Sequence, residues 1–176
     1  MKIPSRYMPK YKEKPTTPFG WLVLVLLVCL LLWLVWSFPY LLLLVPVFIL
    51  IDAWDKKKRN EHFAKLLEDR ENDSICTFSR HFEFREIDTW VIRAVYEQLQ
   101  SYLNSEKEHF PVRATDDVFG DLMIDDEDFE YDIVEEIAQR TGRTLDNAES
   151  NPYYGKANIV ENLVFFFNEQ PKENAT

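Results

Sequence analysis

The sequence predicts a mainly α chain, with a membrane-spanning helical hairpin ahead of a small helical bundle, and three observations carry that reading. From Trp21 to Ile51 no residue is charged, a run of 31, whereas about 20 apolar residues suffice to cross a hydrocarbon core ~30 Å thick. Downstream, three segments repeat apolar residues at spacings of three and four, the signature of helices with one buried face. Charge then divides the chain: Lys and Arg flank the apolar run, whereas beyond Asn60 11 Lys and Arg face 27 Asp and Glu, a net of −16. A length of 176 residues leaves room for one membrane segment and one small domain, which excludes a large two-domain enzyme.

Residues 1–18 read as a basic tail and 19–54 as the membrane part. A core helix of a soluble protein seldom exceeds about 14 unbroken apolar residues. The apolar core of a secretory signal peptide is ~7–15 residues long and ends at a small-residue cleavage site. Here Asp52-Ala53-Trp54-Asp55 follows and offers no such site, so the segment reads as a retained anchor. A straight helix of this length would reach roughly 46 Å. A break is therefore expected at Ser37-Phe38-Pro39-Tyr40, with Pro46 a second irregularity, giving arms Pro18 to Ser37 and Pro39 to Trp54.

Lys2, Arg6, Lys10, Lys12 and Lys14 precede the run, and Lys56, Lys57, Lys58, Arg59 and Lys65 follow it. The positive-inside rule places both flanks in the cytoplasm, and two cytoplasmic flanks require an even number of crossings. A hairpin follows, with both termini and the soluble domain cytoplasmic. The alternative is a re-entrant hairpin or one kinked span, because the second arm is short and contains Pro46. Trp21, Trp33, Trp36, Tyr40 and Trp54 include candidate interfacial anchors. Lys56, Lys57, Lys58 and Arg59 serve as a topology signal and as a candidate surface for anionic membrane lipid, at about 1 kcal/mol per residue. Cys29 at bilayer depth cannot reach Cys76, so no disulfide framework is expected.

Residues 55–85 read as a juxtamembrane helix and linker. Asn60 to Asn72 is rich in helix formers and places Phe63, Leu66 and Leu67 on one side, as a stalk continuing the second arm outward. Asp73 to Arg85, with Ile75, Phe78, Phe82 and Phe84, is either a short extended segment or an aromatic linker packed on the domain. The domain proper, 86–168, opens with a helix from Asp88 or Thr89 to Leu103 whose buried face is Ile92, Val95, Tyr96, Leu99, Tyr102 and Leu103. Asn104 to Asp125 is a long connection carrying Val112, Val118, Phe119 and Leu122.

A second helix, Asp126 to Thr141, presents Phe129, Ile133, Val134 and Ile137 on one face. It gathers carboxylates at its N-terminal end, where the helix dipole favours them, and stops at Gly142. Arg143-Thr144-Leu145 re-enters the core, a turn follows at Asn151 to Gly155, and Ala157 to Asn168 is a last helix, with strand the alternative at Phe165 to Phe167. Residues 169–176 form a solvated, disordered tail.

This order, and above all Phe119-Gly120-Asp121-Leu122-Met123-Ile124-Asp125-Asp126-Glu127-Asp128 leading into Ile133-Val134-Glu135-Glu136-Ile137, resembles the acyl-carrier-protein fold over about Ile87 to Asn168. In that family an Asp-Ser-Leu triplet opens the second helix and its serine carries phosphopantetheine. Here the triplet reads Asp125-Asp126-Glu127, so the resemblance puts Asp126 at the serine position, and a carboxylate cannot carry that arm. The chain more specifically resembles a group of bacterial proteins, common in enteric bacteria, that keep the carrier-like helices and acidic loop but lack the serine. That likeness implies the bacterial inner membrane as its location.

The acidic run Asp116, Asp117, Asp121, Asp125, Asp126, Glu127, Asp128 and Glu130 does not match a calcium loop. Starting one at Asp125 puts Glu130 where glycine is required, and a start at Asp116 puts Val118 at the third position. His62, His81 and His109 stand in separate segments away from both cysteines, so no metal site is expected. The chain has four glycines and neither a nucleophile-elbow nor a phosphate-cradling pattern, so the expectation is no enzyme, no cofactor and no small-molecule substrate. A surface this acidic repels nucleic acid and favours a basic protein surface or a dissolved cation, of which the basic protein is the expected partner. The expected function is a membrane-tethered, non-catalytic interaction module whose partner-binding residues are Asp125, Asp126, Asp128, Glu130, Glu135 and Glu136. An accessory part in lipid or acyl metabolism at the membrane is the alternative, and an immunity or stress protein a second.

Overall fold

Among the residues that the computed structural model describes (4–12, 15, 17–83, 85–104 and 109–173), the chain is mainly helical and has no strand. Lys2, Lys14, Phe84, part of the long connection (105–108) and the end of the tail (174–176), all named above, lie outside the described residues. The helices are α1 (Pro18–Ser37), α2 (Leu44–Glu68), α3 (Ile75–Arg80), α4 (Thr89–Leu103), α5 (Glu135–Thr141) and α6 (Val160–Glu169). A π-helical segment, Asp128–Val134, runs directly into α5. The chain forms two compact units, Lys12–His62 and a second composed of Met1–Tyr11 with Phe63–Thr176.

In the unit Lys12–His62, Thr17 caps α1 by accepting the Gly20 N–H at 3.2 Å, and Pro18 takes a first-turn position where its missing donor costs nothing. By length and composition α1 can cross a membrane. The helix stops where proline predicts: Phe38 leaves helical geometry (φ −135°, ψ 73°) and Pro39–Leu43 forms a 3₁₀ turn. Pro46 interrupts nothing, since it falls in the first turn of α2, where backbone donors have no intrahelical partner.

The other unit is built around α4. Asp88, rather than Thr89, caps it, accepting the Trp90 N–H at 3.1 Å. Its buried residues are Val91, Ile92, Ala94, Val95, Tyr96, Leu99 and Leu103, a wider arc than periodicity predicts. The reason is that α3, the π segment, α5, α6 and the 3₁₀ turn Ser5–Tyr7 all pack on it. Tyr102, placed on the buried face by spacing, is half-buried because its hydroxyl reaches the Asp128 carboxylate.

Phe63 is wholly buried and packs edge-on against Phe110, with Leu66 and Leu67 also on the core. The end of α2, from Phe63, thus belongs to this unit, whereas the sequence reads Asn60 to Asn72 as a projecting stalk. The cause lies just beyond the helix. Arg70 donates to both Asp116 oxygens at 2.7 Å and to the Pro111 carbonyl at 3.0 Å, and Arg113 reaches Asp73 and Asp69 at 2.5 and 2.7 Å. These bonds fasten residues 69–73 to the loop at 111–116.

Of the two readings for Asp73 to Arg85, the aromatic linker is observed, with a helix inside it. Ser74 and Thr77 form a reciprocal capping pair for α3, and Phe78 and Phe82 are buried. The last helix begins at Val160, not Ala157, because Ala157 and Asn158 form a turn and Ile159 is extended and bridged to Asp117, with the Val118 N–H donating to the Asn158 carbonyl at 2.7 Å. Phe165 to Phe167 are helical.

Gln170, placed in the solvated tail by composition, is buried. Arg143 donates to the Asn168 carbonyl at 2.7 Å and to the Gln170 carbonyl, closing the C-terminal end of α6, and the Thr144 N–H pairs with the Pro171 carbonyl at 3.0 Å.

Candidate functional site

The acidic helix start divides into carboxylates that build the helix and carboxylates left over. Asp125 is a cap: its Oδ1 accepts the Asp128 N–H at 2.9 Å, and its carbonyl accepts the Phe129 N–H at 3.0 Å. Asp128 is half-buried and accepts the Tyr102 hydroxyl. Glu135 and Glu136, two turns further along, are half-buried. Asp126 and Glu130 are exposed and make no ion pair among the described residues. Of the six predicted partner-binding residues Asp125 therefore caps one helical stretch and the other five lie on it, and of the six Asp126 and Glu130 turn exposed carboxylates without an ion pair, among the described residues, to solvent at its start.

Those two stand beside a cleft of about 1110 Å³. Its walls come from the Asp126–Val134 stretch, the loop from Leu145 to Asn158, and α6. Phe129, Val134, Leu145, Ala157, Leu163 and Phe166 supply apolar surface, while Asp126, Glu130 and Glu149 supply acid.

The π geometry positions this wall. Successive turns of a π-helix repeat after more than four residues, so Phe129 and Val134, five apart, both face the cleft while Ile133 and Ile137 point into the core. An uninterrupted α-helix brings residues three or four apart to one face and would separate that pair. Phe129 is held edge-on by Phe119, with centroids 5.4 Å apart, and Phe119 itself is partly exposed.

Glu149 and the whole 145–158 wall carry no sequence signal that singles them out. The loop is nonetheless ordered by short-range bonds: the Asn151 side chain donates to the Phe166 carbonyl at 2.9 Å and accepts the Tyr153 N–H at 3.0 Å. Lys156, between the lining residues Gly155 and Ala157, gives its ammonium to the Pro152 carbonyl at 3.1 Å, and among the described residues no Lys or Arg lines the cleft.

The candidate lipid residues Lys56, Lys57, Lys58 and Arg59 lie together in α2 of the other unit. Four consecutive helical residues sweep about 300°, so they form a collar and not one face. Lys56 pairs with Asp52 at 3.0 Å and Lys57 with Glu61 at 4.0 Å, both exposed pairs one helical turn apart. Cys29 and Cys76 are free thiols. Among the described residues no group of three or more His, Cys, Asp or Glu is arranged to hold a metal ion. Comparison of the chain with protein-family models, with curated proteins and with solved structures gives no match in any of the three.

Proposed function

We propose that this protein is a membrane-tethered, non-catalytic interaction module, in which a helical hairpin holds an acidic, acyl-carrier-like domain at the cytoplasmic face of a bacterial inner membrane to dock a basic protein surface. The observation that carries the reading is the pair of exposed carboxylates Asp126 and Glu130, without an ion pair among the described residues, at the start of the Asp126–Thr141 helical stretch, in a unit whose chain continues from the apolar run. Charge of this kind steers encounter and selects partners more than it sets affinity.

The hairpin is supported by the membership of Met1–Tyr11 in the same compact unit as Phe63–Thr176. Met8 is buried in that unit's core, and the turn Ser5–Tyr7 packs on α4. Chain segments on either side of the apolar run that pack together must lie on one side of the bilayer, which demands an even number of crossings or none. The five Lys and Arg on each flank support the cytoplasm as that side.

The test is pull-down of basic proteins from a membrane extract with the full chain, at low and high salt, and with Asp126→Lys/Glu130→Lys. Binding should weaken steeply as salt rises, and the charge reversal should abolish it while the fold, read by far-UV circular dichroism, is unchanged. Partners retained equally by wild type and reversed chain at high salt would overturn the proposal.

A further inference from the structure

We infer that the cleft between the Asp126–Val134 stretch and the 145–158 loop is the docking site itself, and that its occupant is a basic amphipathic segment of a partner protein, one that seats large apolar side chains on the floor and sets Lys or Arg against the rim. This rests on the proposed function and adds what charge alone does not supply, a place for apolar anchors.

Three features determine the occupant. The floor is apolar and broad, with Phe129, Val134, Leu145, Leu163 and Phe166, so it recognises hydrocarbon or aromatic side chains rather than a hydrated ion. The charged residues that line the cleft, Asp126, Glu130 and Glu149, are all acidic, and none of the three has an ion-pair partner among the described residues. An anionic lipid or acyl carboxylate would meet three like charges at the mouth, whereas a cationic amphipathic segment meets complementary charge around an apolar centre. The third feature is the π segment, which turns Phe129 and Val134 together into the cleft.

The experiment uses the full chain in zwitterionic nanodiscs, with empty nanodiscs as the blank. Fluorescence anisotropy reads binding of two short synthetic peptides of equal apolar content, one of Leu and Lys, the other of Leu and Glu, both patterned as amphipathic helices. The Lys peptide should bind and the Glu peptide should not. Ala148→Trp, which fills the cleft and leaves every charge in place, should weaken the Lys peptide by about tenfold or more, as should Asp126→Lys/Glu130→Lys. Full affinity in the Ala148→Trp chain, with loss only on charge reversal, would overturn the cleft while leaving the acidic docking face standing. Indifference to both variants would overturn both readings. Native mass spectrometry of the full chain gives an independent check, since a lipid-sized mass held by wild type and expelled by Ala148→Trp would make the occupant an acyl chain and the inference wrong.

Discussion

Arg70 and Asp116 are 4% and 2% exposed, and between them they form the most deeply buried ion pair among the described residues. Burial pushes the Asp116 carboxyl above its ordinary range, against the two bonds from Arg70 and the one from the Arg113 N–H. Removing one partner of such a pair leaves a buried charge alone. Arg70→Ala should therefore cost about 3–5 kcal/mol in chemical denaturation of the micelle-solubilised chain, and Arg70→Met with Asp116→Leu should recover most of it. Equal losses in the single and double variants would show that the pair's charge is not what matters.

Asp88 and Glu97 behave in the opposite sense. Burial raises both, but Trp90 N–H, Lys172 and Arg143 at Asp88, and Arg93 with Arg140 at Glu97, outweigh it and hold both carboxyls below their usual range. A carboxyl with a depressed folded-state pKa contributes stability that is present above its unfolded value, near pH 4, and is lost as pH falls through the folded value. Unfolding free energy should thus decline below about pH 4, and Asp88→Asn should flatten that decline while lowering stability at neutral pH. At this scale local chemistry was legible and distant chemistry was not. The Asp88 cap acts two residues from its own position and can be read from the chain, whereas Arg70 and Asp116 stand 46 residues apart with nothing in either flank to pair them.

Among the elements, α1 and α4 follow their sequence signals almost residue for residue: an unbroken apolar run closed by Phe38-Pro39, and a three-four repeat opened by a cap. The end of α5 is equally legible. Gly142 sits at φ +63°, the left-handed conformation that glycine enters without penalty. The π segment had no signal to read. Its residues carry the apolar pattern of an ordinary helix, and the extra residue per turn shows only in what it does to Phe129 and Val134. Deleting Asp132, an exposed residue within it, should return the segment to α geometry and swing Phe129 and Glu130 by about 100° relative to α5. Helix content should persist in circular dichroism while affinity for the Leu–Lys peptide falls. Unchanged affinity would disconnect the π geometry from the cleft.

The whole molecule turns on how its apolar run is arranged. A 20-residue α1 is about 30 Å long, and the 3₁₀ turn Pro39–Leu43 followed by Leu44 to Trp54 reaches about 26 Å, so the two arms of the proposed hairpin come within a few ångströms of one bilayer thickness. Single cysteines at Lys10 and Lys172, in a chain with Cys29 and Cys76 replaced by Ser, should both react with an impermeant maleimide from the cytoplasmic side of inside-out vesicles and neither from the other side. Labelling of the two from opposite sides would establish one span. Flank charge is what leads the sequence to the proposed even crossing number, whereas the packing that supports that proposal was not legible, because Met8 is a single apolar side chain in a basic tail.

That packing has a consequence for biogenesis. Met8 leaves the ribosome well before α4, the helix on which its segment packs, and the whole apolar run is made in between. The N-terminal stretch must wait, solvent-exposed and available to other factors, until about eighty further residues, the apolar run among them, have been synthesised. If the apolar run forms the proposed hairpin, closure of this unit is a late event that reports on insertion: a run inserted with an odd number of passes would leave the first residues on the far side of the membrane, the unit short of one piece of its core, and its unfinished state visible to quality-control proteases.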